Sequence, residues 1–241
     1  MEIKKLGTVE STNTWVSQHE SGLSAPFLVY CEQQTAGRGQ RGNTWESAPG
    51  KNITASLLLR PENFEAAGQF AISEAVSLSI VSFLKIHGVE AGIKWPNDIY
   101  TGDKKICGIL VEHVVTGKNI TRTIAGIGIN INQECFISDA PNPVSLTMLT
   151  GKKYNIEDTV AILADCLAEA LEKLDNPEEL HSEFLKHLWR NDKGFHKFYD
   201  RKCSENIEAA IEGVASNGIL ILKTKSGEVR KYTFKEVEFI I

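Results

Sequence analysis

Three short segments of this chain concentrate residue types that bind and activate anions. Gly37-Arg38-Gly39-Gln40-Arg41-Gly42 sets two guanidinium groups among three glycines. Glycine lets backbone N–H groups close on an oxyanion, and arginine offers a planar fork of donors to carboxylate or phosphate. The spacing is formally GxGxxG, but a dinucleotide-binding turn needs a helix opening at its third glycine. The residues that follow include Trp45, Pro49 and Gly50, which do not supply one. No GK[ST] follows either, so a Walker A loop is excluded. The plain alternative is a glycine-rich surface turn; two arginines with no acid before Glu46 suit an anion cradle better.

Lys94-Trp95-Pro96-Asn97-Asp98 closes an expected strand. As a Pro-Asn-Asp turn it needs no further role. As a site, Asp98 and Asn97 offer hard oxygens to Mg²⁺, and Lys94 offers charge to a polyphosphate. Lys104 and Lys105 precede the apolar run Ile106 to Val111. Strand alternation sends them to opposite faces, with Lys105 beside the interior. In Gly126-Ile127-Gly128-Ile129-Asn130, glycines sit inside an apolar strand, which implies the close approach of a packed helix or a flat ligand. The six histidines show neither HxxxH nor HExxH spacing and no GxSxG occurs, so neither a histidine metal centre nor a serine hydrolase is signalled.

These residues need a frame. Patterning predicts strands over residues 3–6, 27–31, 53–59, 91–95, 105–113 and 121–131, with turns at 96–104 and 116–119. Ser11-Thr12-Asn13 reads as a helix cap, and amphipathic spacing predicts helices over 65–87 and 156–174, with another opened by Pro177 and ending near 190. The segment 34–51 reads as a long functional loop, expected to be mobile until a ligand orders it. After Gly194 only short strands follow, over 207–215, 219–223 and 228–234, joined by Ser-Asn-Gly and Ser-Gly turns. The expected architecture is α+β: a mixed-sheet body over 1–192 and a small SH3-like β-barrel over 193–241.

Composition sets the class. The chain has 241 residues, 42% hydrophobic and 24% charged, which excludes disordered, collagenous and coiled-coil proteins. A net charge of −5 argues against a dedicated nucleic-acid binder. Its five cysteines stand 28 or more positions apart, with no CxxC and no disulfide framework, and read as reduced thiols. The start lacks an apolar signal region and no unbroken apolar run nears ~20 residues, so the expectation is a cytoplasmic protein off the membrane.

Taken together, the segments resemble the biotin–protein ligases. The match is ordered: Glu10-Ser11-Thr12-Asn13; Glu32 to Gly42 (EQQTAGRGQRG) with Trp45; Lys94 to Asp98 (KWPND); Lys105 to Glu112 (KICGILVE); and Gly126 to Asn130 (GIGIN). The resemblance implies ATP-dependent formation of biotinyl-5'-AMP and its transfer to a lysine of a biotin carboxyl carrier protein. By position it implies that Ser11, Thr12, Asn13 and Gln34, with Gln40 and Gly108, surround biotin. Arg38 and Gly39 would close over it, and Lys105 would meet its carboxylate and the α-phosphate, with Lys105 and Arg38 as the catalytic pair. Arg41, Trp45, Lys94, Asn97 and Asn130 would serve the nucleotide, and Asp98 and Asn97 Mg²⁺. Gln40 stands where many members carry a second arginine. The match starts near residue 1, so the expectation is a monofunctional member without the DNA-binding domain of the repressor-ligases, with a homodimer among the assemblies the resemblance allows. Lipoate–protein ligase and a non-enzymatic biotin or adenylate sensor are the rivals.

Overall fold

The computed structural model describes residues 1–137 and 142–241, and of Arg41 the backbone alone. Eight strands build the first sheet: β1 (Glu2–Val9), β2 (Phe27–Gln34), β3 (Ile53–Leu59), β4 (Phe64–Glu65), β5 (Gly92–Lys94), β6 (Asp98–Thr101), β7 (Lys104–Thr116) and β8 (Asn119–Ile129). Their order is β1-β2-β3-β8-β7-β6-β5, with β4 against β8. Only β1 and β2 run parallel among these pairs, so the sheet is mixed.

The two faces of this sheet bury different cores, as the strand period dictates. Leu28 and Tyr30 of β2, with Ile53, Ala55 and Leu57 of β3, face the large core under α2 (Phe70–Ile86). Phe27, Val29 and Leu58 face a smaller cluster with Val16 of α1 (Thr12–His19). A strand covered on both sides loses polar alternation, and all seven residues of β3 are buried.

Helix α2 packs against α4 (Ile156–Glu172) and α5 (Pro177–Lys186) as well as the sheet, so nearly all its faces are apolar. By length and composition Ala66–Ile86 could cross a membrane, but 67% of that window is buried inside the fold. Helix α4 starts where Asn155 Oδ1 accepts the N–H groups of Glu157 (2.8 Å) and Asp158 (3.3 Å).

Five strands form the second sheet: β9 (His196–Asp200), β10 (Glu205–Val214), β11 (Leu220–Thr224), β12 (Val229–Tyr232) and β13 (Val237–Phe239), all antiparallel in the order β12-β11-β10-β9-β13. Its Phe198, Ile211, Leu222 and Tyr232 belong to the large core.

The structure departs from the patterning at several points. Part of the expected 96–104 turn is β6, because Ile99 and Tyr100 pair with β7 across a bulge. Strand β9 escapes notice because few of its residues are buried, although it forms a hairpin with β10, and β13 because it is short and its partner β9 is remote in sequence. A short helix, α3 (Leu146–Thr150), is capped by Ser145. Helix α5 stops at Lys186, short of 190, because Leu188 and Trp189 turn to pair with Ile93 of β5.

Candidate functional site

A cavity of about 1140 Å³ opens between the ends of the first sheet, the 34–51 segment and the second sheet. Its inner end is built from buried polar side chains. Ser11, Thr12 and Asn13 begin α1 and are nearly inaccessible, as is Ser56 of β3. Ser56 Oγ donates to Asn13 Oδ1 (2.5 Å) and lies 2.7 Å from Thr12 Oγ1. Gln34 Oε1 accepts from Thr12 N (2.8 Å) and Thr12 Oγ1 (3.2 Å). With its oxygen engaged twice, the Gln34 amide keeps Nε2 as donor. Gly126 admits this arrangement, since a Cβ there would meet Asn13 Oδ1 at 2.6 Å. A packed helix therefore accounts for the first glycine of GIGIN.

The second accommodates a flat ring from the chain itself. A Cβ on Gly128 would lie 2.3 Å from Trp45 Cε2. The indole also covers Gly108 and lies 5.9 Å below Lys105 Nζ. The loop that carries Trp45 is folded on itself: Gly39 N donates to Asn43 O (2.8 Å), Trp45 N to Gly37 O (3.0 Å), and Gln40–Gly42 forms a 3₁₀ turn.

At the cationic end, Lys105 Nζ pairs with Asp98 Oδ1 at 2.7 Å, both groups largely shielded, whereas Lys104 is exposed. Arg38 Nη2 reaches Glu112 Oε2 at 3.1 Å. Lys94 Nζ stands over the rings of Tyr100 (5.0 Å) and Phe239 (5.2 Å). Burial holds its ammonium below the usual lysine range, an effect that Asp98 opposes and Lys105 and Arg190 reinforce. Asn97 Nδ2 donates to Ile109 O (2.6 Å), which leaves its oxygen as an acceptor beside Asp98.

All the sequence-expected site residues whose side chains are described line this one cavity: Ser11, Thr12, Asn13, Gln34, Arg38, Gly39, Gln40, Trp45, Lys94, Asn97, Asp98, Lys105, Gly108 and Asn130. The Arg41 side chain lies outside the described residues. Five buried side-chain polar atoms lack a hydrogen-bond partner among the described residues, and three of them, Gln40 Oε1, Trp45 Nε1 and Asn130 Oδ1, belong to cavity residues. Buried polar groups left unpaired cost enough to be rare, so their concentration here suits a ligand that pairs them.

Sequence reasoning missed Ser56, although a serine two residues from Thr54 in an otherwise apolar strand was a usable signal. It also gave Glu112 no role. Arg201, Phe234, Lys235 and Phe239 bring the second sheet to the cavity mouth, and no local pattern marks them.

The Biotin/lipoate A/B protein ligase family model matches residues 6–130. The chain is 33% identical over 241 residues to the bifunctional ligase/repressor BirA of Salmonella typhimurium, spanning 96% of this chain and 72% of that protein. It is 29% identical over 237 residues to the biotin–[acetyl-CoA-carboxylase] ligase of Paracoccus denitrificans, spanning 92% of this chain and 94% of that one. The same fold occurs in the biotin protein ligase of Aquifex aeolicus solved with biotin and ATP, with a TM-score of 0.80 at 24% identity over 98% of this chain and 97% of that one.

Proposed function

From the premise that the chain belongs to the Biotin/lipoate A/B protein ligase family, we propose that it is a biotin–protein ligase acting in two steps. A biotin carboxylate oxygen attacks the α-phosphorus of ATP, the bridging bond to the β-phosphate breaks, and biotinyl-5'-AMP and pyrophosphate form. A lysine amine of a biotin carboxyl carrier domain then attacks the acyl carbon, AMP leaves, and the amide nitrogen gives up its proton. The name of the Paracoccus denitrificans relative supports biotin and a carboxylase partner, and the cytoplasm is where we place the reaction.

The observation that carries the reading is one cavity with two chemically different ends. The inner end offers Ser11, Thr12, Asn13 and Gln34, all polar, to the ring of the ligand. A ureido group presents a carbonyl and two N–H groups that can use such partners. The dithiolane of lipoate presents none, and buried polar groups left facing it would be penalised. The other end supplies Lys105 and Arg38, preorganised cations for an encounter of carboxylate with phosphate. Lys105 would exchange Asp98 for the ligand's anions, while Arg38 and Gly39 would close over them. Gln40 and Gly108 would border the biotin, and Trp45, Lys94, Arg41 and Asn130 the nucleotide. The unpaired oxygen of Asn130 suits an amine of the base.

Asp98 and the oxygen of Asn97 form a hard donor pair that fits Mg²⁺, with phosphate and water oxygens to complete its shell. When bound, that ion would neutralise polyphosphate charge. No nucleophilic side chain is needed, which agrees with the buried, inert setting of Cys107, whose thiol burial pushes well above the ordinary range. The unit over 193–241 contributes at the mouth, which supports a part in handling ATP or carrier rather than biotin's ring.

The test supplies labelled biotin, ATP and the carrier domain. Amide-linked label on the carrier is the expected result. Adenylate formation without transfer would favour the sensor, and labelling by lipoate in place of biotin would favour the other ligase.

A further inference from the structure

Glu112 lies in β7 and has no part in the chemistry just proposed, yet one of its oxygens ties the two ends of the cavity together. Glu112 Oε2 accepts from Asn13 Nδ2 at 2.7 Å and from Arg38 Nη2 at 3.1 Å. Asn13 is buried and fixed at its other end by Ser56, so it anchors the carboxylate to the floor of the cavity. Arg38 belongs to the 34–51 segment, and Glu112 is its sole ion-pair partner among the described residues. A guanidinium carries five donors, so the one spent on Glu112 leaves the rest of the fork for an anion inside the cavity.

We infer that Glu112 is a positioning residue: its carboxylate holds the Arg38 loop closed over the cavity and orients the guanidinium fork toward an anionic ligand. The two contacts differ in kind. The bond to Asn13 is structural and survives when an amide oxygen replaces the carboxylate. The bond to Arg38 depends on charge, because both side chains remain about two-fifths or more exposed, at 46% and 40%, and an exposed pair is screened by salt. A latch of that kind is weak enough for a ligand to reorganise. Lost alone, it would shift the closed population by up to about five-fold.

The inference deepens the proposed ligase reading, because an oriented Arg38 is useful only if the cavity takes an anion. Its test uses the ligand-free full chain, so it fails or succeeds independently of that reading. Glu112→Gln keeps an acceptor for Asn13 and removes the charge. Tryptic cleavage within 36–46 is measured for wild type and variant at low salt and at about 1 M salt, where the Debye length is about 3 Å. The expected result is faster cleavage of the variant at low salt, by up to about five-fold, convergence at high salt, and an unchanged melting temperature. Glu112→Ala, which also strips Asn13 of its acceptor, should in addition lower the melting temperature. Equal cleavage of wild type and Glu112→Gln at low salt would overturn the inference. So would an excess that persists at high salt, which would mark a merely structural role.

Discussion

Lys104 and Lys105 are adjacent in sequence and opposite in environment. The pleat turns Lys104 to solvent, while Lys105 is held against Asp98 and over the ring of Trp45. If Lys105 stabilises charge developing between a carboxylate and a phosphate, removing its ammonium should act on the chemical step. Loss of one preorganised donor costs about 10²–10³ in rate. Lys105→Met should therefore slow biotin-dependent pyrophosphate release about 100-fold or more by that estimate, with Lys104→Met near wild type. Equal rates in the two variants would show that the assignment of Lys105 is wrong.

At the scale of elements, the second sheet is pinned by a single buried carboxylate at the end of β9. Asp200 Oδ1 accepts the N–H groups of Lys202 (2.8 Å) and Cys203 (3.2 Å), while Oδ2 accepts from Tyr232 (2.6 Å) and Arg230 (3.1 Å). Burial alone would push its pKa up, but these hydrogen bonds outweigh it and hold the carboxyl below its ordinary 3.8. A depressed folded-state pKa means that the charged form stabilises the fold at any pH above the unfolded value. That contribution disappears as pH falls through the folded value. Asp200→Asn should lower the melting temperature at neutral pH, and the gap from wild type should narrow as pH drops below about 3.8. A gap constant with pH in thermal melts would contradict this account. Two of the four donors come from the turn that directly follows Asp200, and the other two, Arg230 and Tyr232 of β12, are brought there by the strand order β12-β11-β10-β9, so no motif around residue 200 announces that pair.

For the molecule as a whole, the two sheets share one apolar core and a direct bond. Trp95 of the KWPND segment donates from Nε1 to Gly218 O in the β10–β11 turn at 2.9 Å, and its ring meets Phe234. Phe239 of β13 meanwhile covers Lys94. The segment expected to handle nucleotide is thus held in place by the second sheet, and removing that sheet would uncover Trp95 and Phe70. Trp95→Phe keeps an aromatic ring and leaves the Gly218 carbonyl unpaired, a loss of about 1–3 kcal/mol. At about 2–4 °C per kcal/mol for a chain of this size, the melting temperature should fall measurably in a single transition followed by fluorescence. Two separate transitions would mean that the sheets are stable independently.

The sequence by itself determined which residue types the candidate site holds and most of its frame. Arg38 and Lys105 stood out because few residue types can bind anions, and the long helices and central strands because burial imposes their period on the sequence. Its account of GIGIN stayed open between helix and ligand, and the fold resolved it as Asn13 on Gly126 and the chain's own Trp45 on Gly128. Ser56 meeting α1, Glu112 joining Asn13 to Arg38, and the second sheet at the cavity mouth were decided by tertiary structure. The reason is physical: hydrogen bonds and salt bridges form between residues 43, 74 and 99 positions apart in the chain, and no local pattern of residue types encodes which distant partners the sheet order brings within hydrogen-bond reach.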